Sequence, residues 1–222
     1  MLQQINKKIV FYISLVIILG TFNNKNLKNF DLPKINMVNI EGIEFNDNEY
    51  LKMMNMIELS NLLSIQKSQI KEILNSNNLI EEYEVFKKYP SSLEIKIEKT
   101  NFLASTNING KNYLVGSNGK FINTKDSSKN FPFIFGNFET DKFLEFKNII
   151  HQTNFKYNSI KNFYYFPSGR WDIEMNSGVL IKLPITEIKE SLTLSIDLFD
   201  DIEFSNIKIL DMRQKNKIII ND

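Results

Sequence analysis

Four places in the chain gather reactive side-chain types within a few residues. The first is Gly169-Arg170-Trp171-Asp172, where one of only two arginines precedes the single tryptophan and a carboxylate. From these residues alone a reactive site, a binding edge and a well-packed strand are all open. The acidic groups Glu81-Glu82-Glu84 and Asp197-Asp200-Asp201-Glu203 are the second and third. The former lies in a strand-like stretch flanked by lysines and the latter ends a helical stretch with no histidine nearby, so both read as solvated faces. The fourth, Gly116-Ser117-Asn118-Gly119, is too short for a phosphate loop and lacks the Lys-Ser/Thr that must follow one. A nucleophile needs a nearby base and an orienting group. The only histidine, His151, sits near the end of the helical run DKFLEFKNII, where a helix-end role suffices. With no cysteine, thiol catalysis, disulfides and cysteine-held zinc are excluded. The inventory points to no enzyme, no metal and no cofactor.

Composition narrows the partners. The chain has 222 residues, 42% hydrophobic and 24% charged, as expected for one or two folded domains. A net charge of +1 gives no basis for nucleic-acid binding, because neutralising phosphates requires a clear basic excess. Aromatics are plentiful, but a stretch such as NFYYF lacks interleaved arginines and reads as a core or sheet face rather than a base-stacking platform. Near the N-terminus, Lys7-Lys8 precede the uncharged run Ile9 to Phe22. That run is shorter than the roughly 20 residues of an upright membrane-crossing helix. It is nevertheless apolar on all faces, its lysines can snorkel, and no small-residue cleavage site follows. It reads as an uncleaved signal anchor, 9–22, behind a cytoplasmic tail, 1–8, with the bulk exported.

Beyond the anchor, residues 23–35 are a polar linker. NMVNIEGIEF alternates as a strand, with a bend at Gly42. Asn46 or Asp47 can cap a helix bearing Leu51, Met54 and Ile57, and Ile70, Ile73 and Leu74 give a second helix one apolar face. IEEYEVFKK and SSLEIKIEK alternate as a hairpin through Tyr89-Pro90-Ser91-Ser92. The order is β-α-α-β-β. After Thr100 strands dominate: a hairpin turning at Gly116–Gly119, the short FPFIFG, then NFYYF, RWDIEM, VLIKL, IKILDM and KIII. Two helices interrupt them, one with Phe143, Phe146 and Ile150 on one face and one capped by Thr186 carrying Ile188, Leu192, Ile196 and Phe199. The expected class is α+β, with a single N-terminal transmembrane helix, a β-α-α-β-β module and a β-rich domain of mainly antiparallel strands with flanking helices.

Two blocks go beyond generic patterning. Across Asn61–Ala104, the residues Leu62, Leu63, Ser64, Ile80, Tyr89, Pro90, Leu93, Ile95, Ile97 and Glu98 resemble the POTRA module of the FtsQ/DivIB family of bacterial cell-division proteins. Asn101 stands where that family usually has proline. In the second block, Arg170, Trp171, Asp172, Gly178, Leu183 and Pro184 match the family's Arg-Trp-Asp to Leu-Pro signature, and Asp211 with Arg213 match its Asp-x-Arg ending. The resemblance spans essentially the whole chain and implies a POTRA domain at 36–99 and an FtsQ-type β domain at 100–222.

The resemblance further implies a non-enzymatic, single-pass inner-membrane scaffold at the division septum. Its periplasmic part would bind FtsB and FtsL, with FtsK, FtsW and FtsI as further partners. In the family FtsB adds a strand to the last edge of the β domain. Here that edge would be Arg213, Gln214, Asn216, Lys217, Ile218, Ile219 and Ile220, with Ile218 and Ile220 on one face and Lys217 and Ile219 on the other. Arg213 matches a family arginine that pairs with a partner carboxylate, a task suited to a guanidinium fork. The family's aromatic residues are replaced by Gln214 and Asp222. In this reading Trp171 anchors the core, Arg170 and Asp172 point outward, and the signature lies apart from the working edge. A POTRA-containing periplasmic chaperone or assembly module is the alternative.

Overall fold

The structure is a computed structural model and describes residues 7–22, 32–44, 47–123, 131–199, 207–214 and 217–221. The first element, α1 (Lys7–Phe22), is a 16-residue helix. Its large apolar side chains from Ile9 to Leu19 are all exposed, with Val16 at 68%. Among the described residues no helix is long and apolar enough to cross a membrane.

Next come β1 (Met37–Glu41), α2 (Asp47–Glu58), α3 (Lys67–Ser76), β2 (Ile80–Lys88) and β3 (Ser92–Lys99). They reproduce the expected β-α-α-β-β order. Their sheet runs β1-β3-β2, with β1 parallel and β2 antiparallel to the central strand. Leu93, Ile95 and Ile97 of β3 alternate inward and meet Met53 and Ile57 of α2 and Ile70, Ile73 and Leu74 of α3 in one core. The bend after β1 requires its glycine. Gly42 has φ +105, and a Cβ there would lie 1.8 Å from the Ile97 carbonyl oxygen.

Among the described residues the remaining strands form one nine-stranded sheet. Its strands are β4 (Phe102–Ile108), β5 (Lys111–Gly116), β6 (Phe121–Asn123), β7 (Phe133–Phe135), β8 (Ile160–Tyr165), β9 (Trp171–Met175), β10 (Leu180–Lys182), β11 (Ile209–Gln214) and β12 (Lys217–Asn221). Their spatial order is β12-β11-β10-β9-β8-β7-β4-β5-β6. The connection between β4 and β5 is a tight hairpin in which Asn109 and Gly110 both take positive φ, the geometry that suits strand twist.

Two helices, α4 (Thr140–His151) and α5 (Ile188–Phe199), supply side chains to the core of this sheet. Phe143, Phe146 and Ile150 of α4 are buried as their spacing predicts. The second helix begins two residues after the expected cap Thr186, with Glu187 at φ 61. Ile134, Phe163, Ile173, Ile181, Leu210 and Ile220 stand opposite one another on six successive strands, and all belong to or pack on this core. Trp171 is 3% exposed and stacks on Phe146 with ring centroids 5.0 Å apart, confirming its anchoring place.

Candidate partner-binding edge

The candidate site is built on β11 and β12. Leu210 and Met212 of β11 turn into the core, which leaves Asp211 and Arg213 on the other face. In β12 the alternation is as expected: Ile218 and Ile220 pack on the core, while Lys217 and Ile219 are exposed, Ile219 by 43%. Among the described residues the strand pairs with β11 alone, in antiparallel register from Ile209↔Asn221 to Gln214↔Lys217. Its other side is the sheet's edge, where its backbone N–H and C=O groups meet no other strand among the described residues. Asn216 lies outside the described residues, as do Asp200, Asp201 and Glu203 of the acidic stretch.

Arg213 is already engaged within the chain. Its Nε donates to both Asp211 carboxylate oxygens, at 2.8 and 3.0 Å, and its Nη2 donates to Oδ2 at 2.6 Å. The residues are two apart on one strand, so their side chains share a face. The bonds from Arg213 hold the Asp211 carboxyl below the ordinary aspartate range, against an opposing push from partial burial. The Arg213 side chain remains 45% exposed. A partner carboxylate would therefore share a guanidinium that Asp211 orients, rather than capture a free one.

The same arrangement recurs at the signature. Arg170 Nε donates to Asp172 Oδ1 at 3.0 Å, and the guanidinium carbon lies 4.0 Å from the centre of the Phe166 ring. Asp172 is not the outward neighbour expected from the sequence. It is 3% exposed, and its Oδ1 also accepts from the Leu183 backbone N–H at 3.3 Å. Burial raises its carboxyl above the usual range, opposed by Arg170. The physical reason lies in the neighbours: Arg170 covers the aspartate, and the Leu183 amide needs an acceptor.

Register places these groups in one line. Phe135, Tyr164, Asp172, Lys182, Asp211 and Ile219 are successive cross-strand partners from β7 to the β12 edge. Both arginines line one open groove of about 420 Å³ along this face, with Tyr164, Phe166, Glu174 and Lys182. The signature on β9 and the edge strand β12 thus lie on one continuous face of the sheet. Sequence reasoning missed Tyr164, Phe166, Glu174 and Lys182, because only cross-strand register brings them together. Glu174 accepts from Lys161, Asn162 and Tyr164 at 2.8, 2.8 and 2.6 Å. Those bonds bring its carboxyl down to about 2.

Other sequence-level candidates are elsewhere. His151 ends α4 on the surface. Glu81 accepts from the Ser117 hydroxyl at 2.8 Å. Tyr89-Pro90 forms the β2–β3 turn through a cis peptide bond, and Glu98 lies exposed on β3. Gly178 takes positive φ in the β9–β10 turn, Leu183 is fully buried, and Pro184 borders a groove that Arg213 and Ile218 also line. Among the described residues no three His, Asp or Glu side chains are grouped to hold a metal ion.

The chain matches two family models. Residues 34–99 match the POTRA domain, FtsQ-type, and residues 104–213 match the C-terminal part of the cell division protein FtsQ/DivIB. The second match ends at Arg213, before β12. Curated relatives include the cell division protein FtsQ of Rickettsia bellii and that of Rickettsia conorii. Each is 27% identical over 197 residues, covering 84% of this chain and 72% of the relative. Among solved structures, the major extracytoplasmic domain of the trans isomer of the cell division protein DivIB from Geobacillus stearothermophilus covers 50% of this chain and 99% of its own. That comparison has a TM-score of 0.37 at 16% identity. The two models follow one another along the chain in the order of the two sheets, and the chain belongs to the FtsQ/DivIB family of cell-division proteins.

Proposed function

We propose that this chain is a non-enzymatic divisome scaffold that docks FtsB, with FtsL, by adding an FtsB strand to β12. The carrying observation is topological: among the described residues β12 is the terminal strand of the nine-stranded sheet and pairs on one side only. Strand addition draws affinity from main-chain hydrogen bonds and specificity from neighbouring side chains. Here those side chains are Ile219, Arg213 and, further along the same face, Arg170. Through this edge the protein links early division proteins to septal peptidoglycan synthesis, with FtsK, FtsW and FtsI as further partners.

In the same proposal the domains are 36–99 and 100–222, joined by the 23–35 linker to an anchor at 9–22 in the cell inner membrane, with residues 1–8 cytoplasmic. The support for the anchor is that α1 exposes apolar side chains on every face, a surface that water disfavours. Sixteen residues give a helix about 24 Å long against a hydrocarbon core of about 30 Å. Local bilayer thinning and snorkelling by Lys7 and Lys8 accommodate that difference.

Co-purification of FtsB with the full chain tests the docking edge. Ile219→Pro and deletion of residues 217–222 are expected to abolish recovery of FtsB while the far-ultraviolet spectrum and thermal transition of the protein persist. Undiminished recovery with either variant rules out the edge as the docking site.

A further inference from the structure

The POTRA-type module carries a turn with two strongly exposed leucines. Leu59 is 80% exposed and Leu63 64%, although the neighbouring Leu62 is 2% exposed and Ile65 3%. The turn is held firmly from within. Asn61 Oδ1 accepts the backbone N–H groups of Leu63 and Ser64 at 3.0 and 2.9 Å. Lys87 Nζ donates to the carbonyls of Leu62 and Ile65 at 2.5 and 3.2 Å. Two leucines are therefore presented to solvent on a hydrogen-bonded scaffold.

The position of the turn identifies what it meets. Lys34 bridges Asn61, and the Ile35 N–H donates to the Ser60 carbonyl at 3.0 Å. The turn thus adjoins the stretch by which the chain arrives from α1, where Leu32 is also 37% exposed. Only residues 23–31 separate Phe22, the end of the apolar helix, from Leu32. Ten residue steps reach at most about 35 Å when fully extended. Lys34 and Lys67, both exposed, lie to either side in sequence and can hold their ammonium groups at headgroup level while the leucines sit lower.

We infer that the Leu59–Leu63 turn rests on the phospholipid bilayer surface, with Leu59 and Leu63 inserted at the boundary between headgroups and acyl chains. The inference rests on the reading of α1 as a membrane anchor. It makes the module a second, peripheral membrane contact, which limits its swing about the linker and sets the standing orientation of the domains beyond it.

The cysteine-free chain permits a direct test. Single nitroxide labels at L15C, L59C, L63C and F135C are placed in the full chain, one copy per phospholipid nanodisc. Their collision rates with oxygen and with a water-soluble nickel chelate are measured. Leu59 and Leu63 are so exposed that labelling them removes little packing. The expected result is loss of nickel accessibility and gain of oxygen accessibility at 15, 59 and 63 relative to 135. Water-like behaviour at 59 and 63 with lipid-like behaviour at 15 overturns the surface contact and leaves the anchor standing. Water-like behaviour at 15 overturns the anchor, and the contact with it.

Discussion

Arg170 and Arg213 are the chain's two arginines, and each is tied to an aspartate two positions along its own segment. At Arg213 the aspartate fixes the direction of the fork while nearly half of the side chain stays in water. Arg213→Glu is expected to weaken FtsB binding at least about tenfold, or about 1.4 kcal/mol. Arg213→Lys should fall between, since a lysine keeps the charge but loses the planar fork. Calorimetric titration of the two variants checks this ranking, and equal affinities across the series would remove Arg213 from the interface. Glu174 makes a separate prediction. Its folded-state value of about 2 lies below the ordinary 4.5, so its stabilisation is present above about pH 4.5 and is lost as pH falls toward 2. Urea unfolding between pH 5 and pH 2.5 should show a shallower loss of stability in Glu174→Gln than in the parent protein.

Among the elements, alternation within a strand was legible and register between strands was not. Leu93, Ile95 and Ile97 announced β3, and Ile218 and Ile220 announced the inner face of β12, because period two is a local property. The burial of Asp172 was hidden, since it depends on Arg170 folding back over it and on the Leu183 amide from the neighbouring segment. The row from Phe135 to Ile219 was hidden for the same reason: six residues from six strands meet only once the whole stretch between them has been placed. The β4–β5 hairpin, by contrast, carries a local signal in Asn109-Gly110, whose positive φ values suit a tight turn. Trp171 behaves as its neighbours dictate. It packs against Phe146, Phe143, Phe163 and Tyr165, so Trp171→Ala should cost about 3–5 kcal/mol in denaturant unfolding. A loss below 1 kcal/mol, read against that range, would contradict its anchoring place.

At the level of the whole molecule, the described residues form two separate apolar cores that meet through a polar joint. The β5–β6 turn reaches the corner between α3 and β2. Asn118 Nδ2 donates to the carbonyls of Asn78 and Ile80 at 3.0 and 2.8 Å, and its Oδ1 accepts the Lys120 N–H at 3.0 Å. Asn78 Nδ2 returns a bond to the Phe121 carbonyl at 2.9 Å, and Ser117 reaches Glu81. The short Gly-Ser-Asn-Gly stretch thus bonds across the joint through Ser117 and Asn118. Asn118→Ala should leave both cores intact but broaden the inter-domain distance distribution, read by double electron–electron resonance between spin labels on β3 and β9. An unchanged distribution would assign the joint to other contacts.

The docking proposed for β12 leaves a signature in its backbone amides. Amide hydrogen exchange of Lys217–Asn221, followed with and without the extracytoplasmic FtsB–FtsL pair, tests it most directly. Strand addition predicts slowed exchange at the outward-facing amides of this strand, with the other sheet edge at β6 unaffected. Unchanged exchange along β12 in a saturated complex, with protection confined to another surface, would contradict the account.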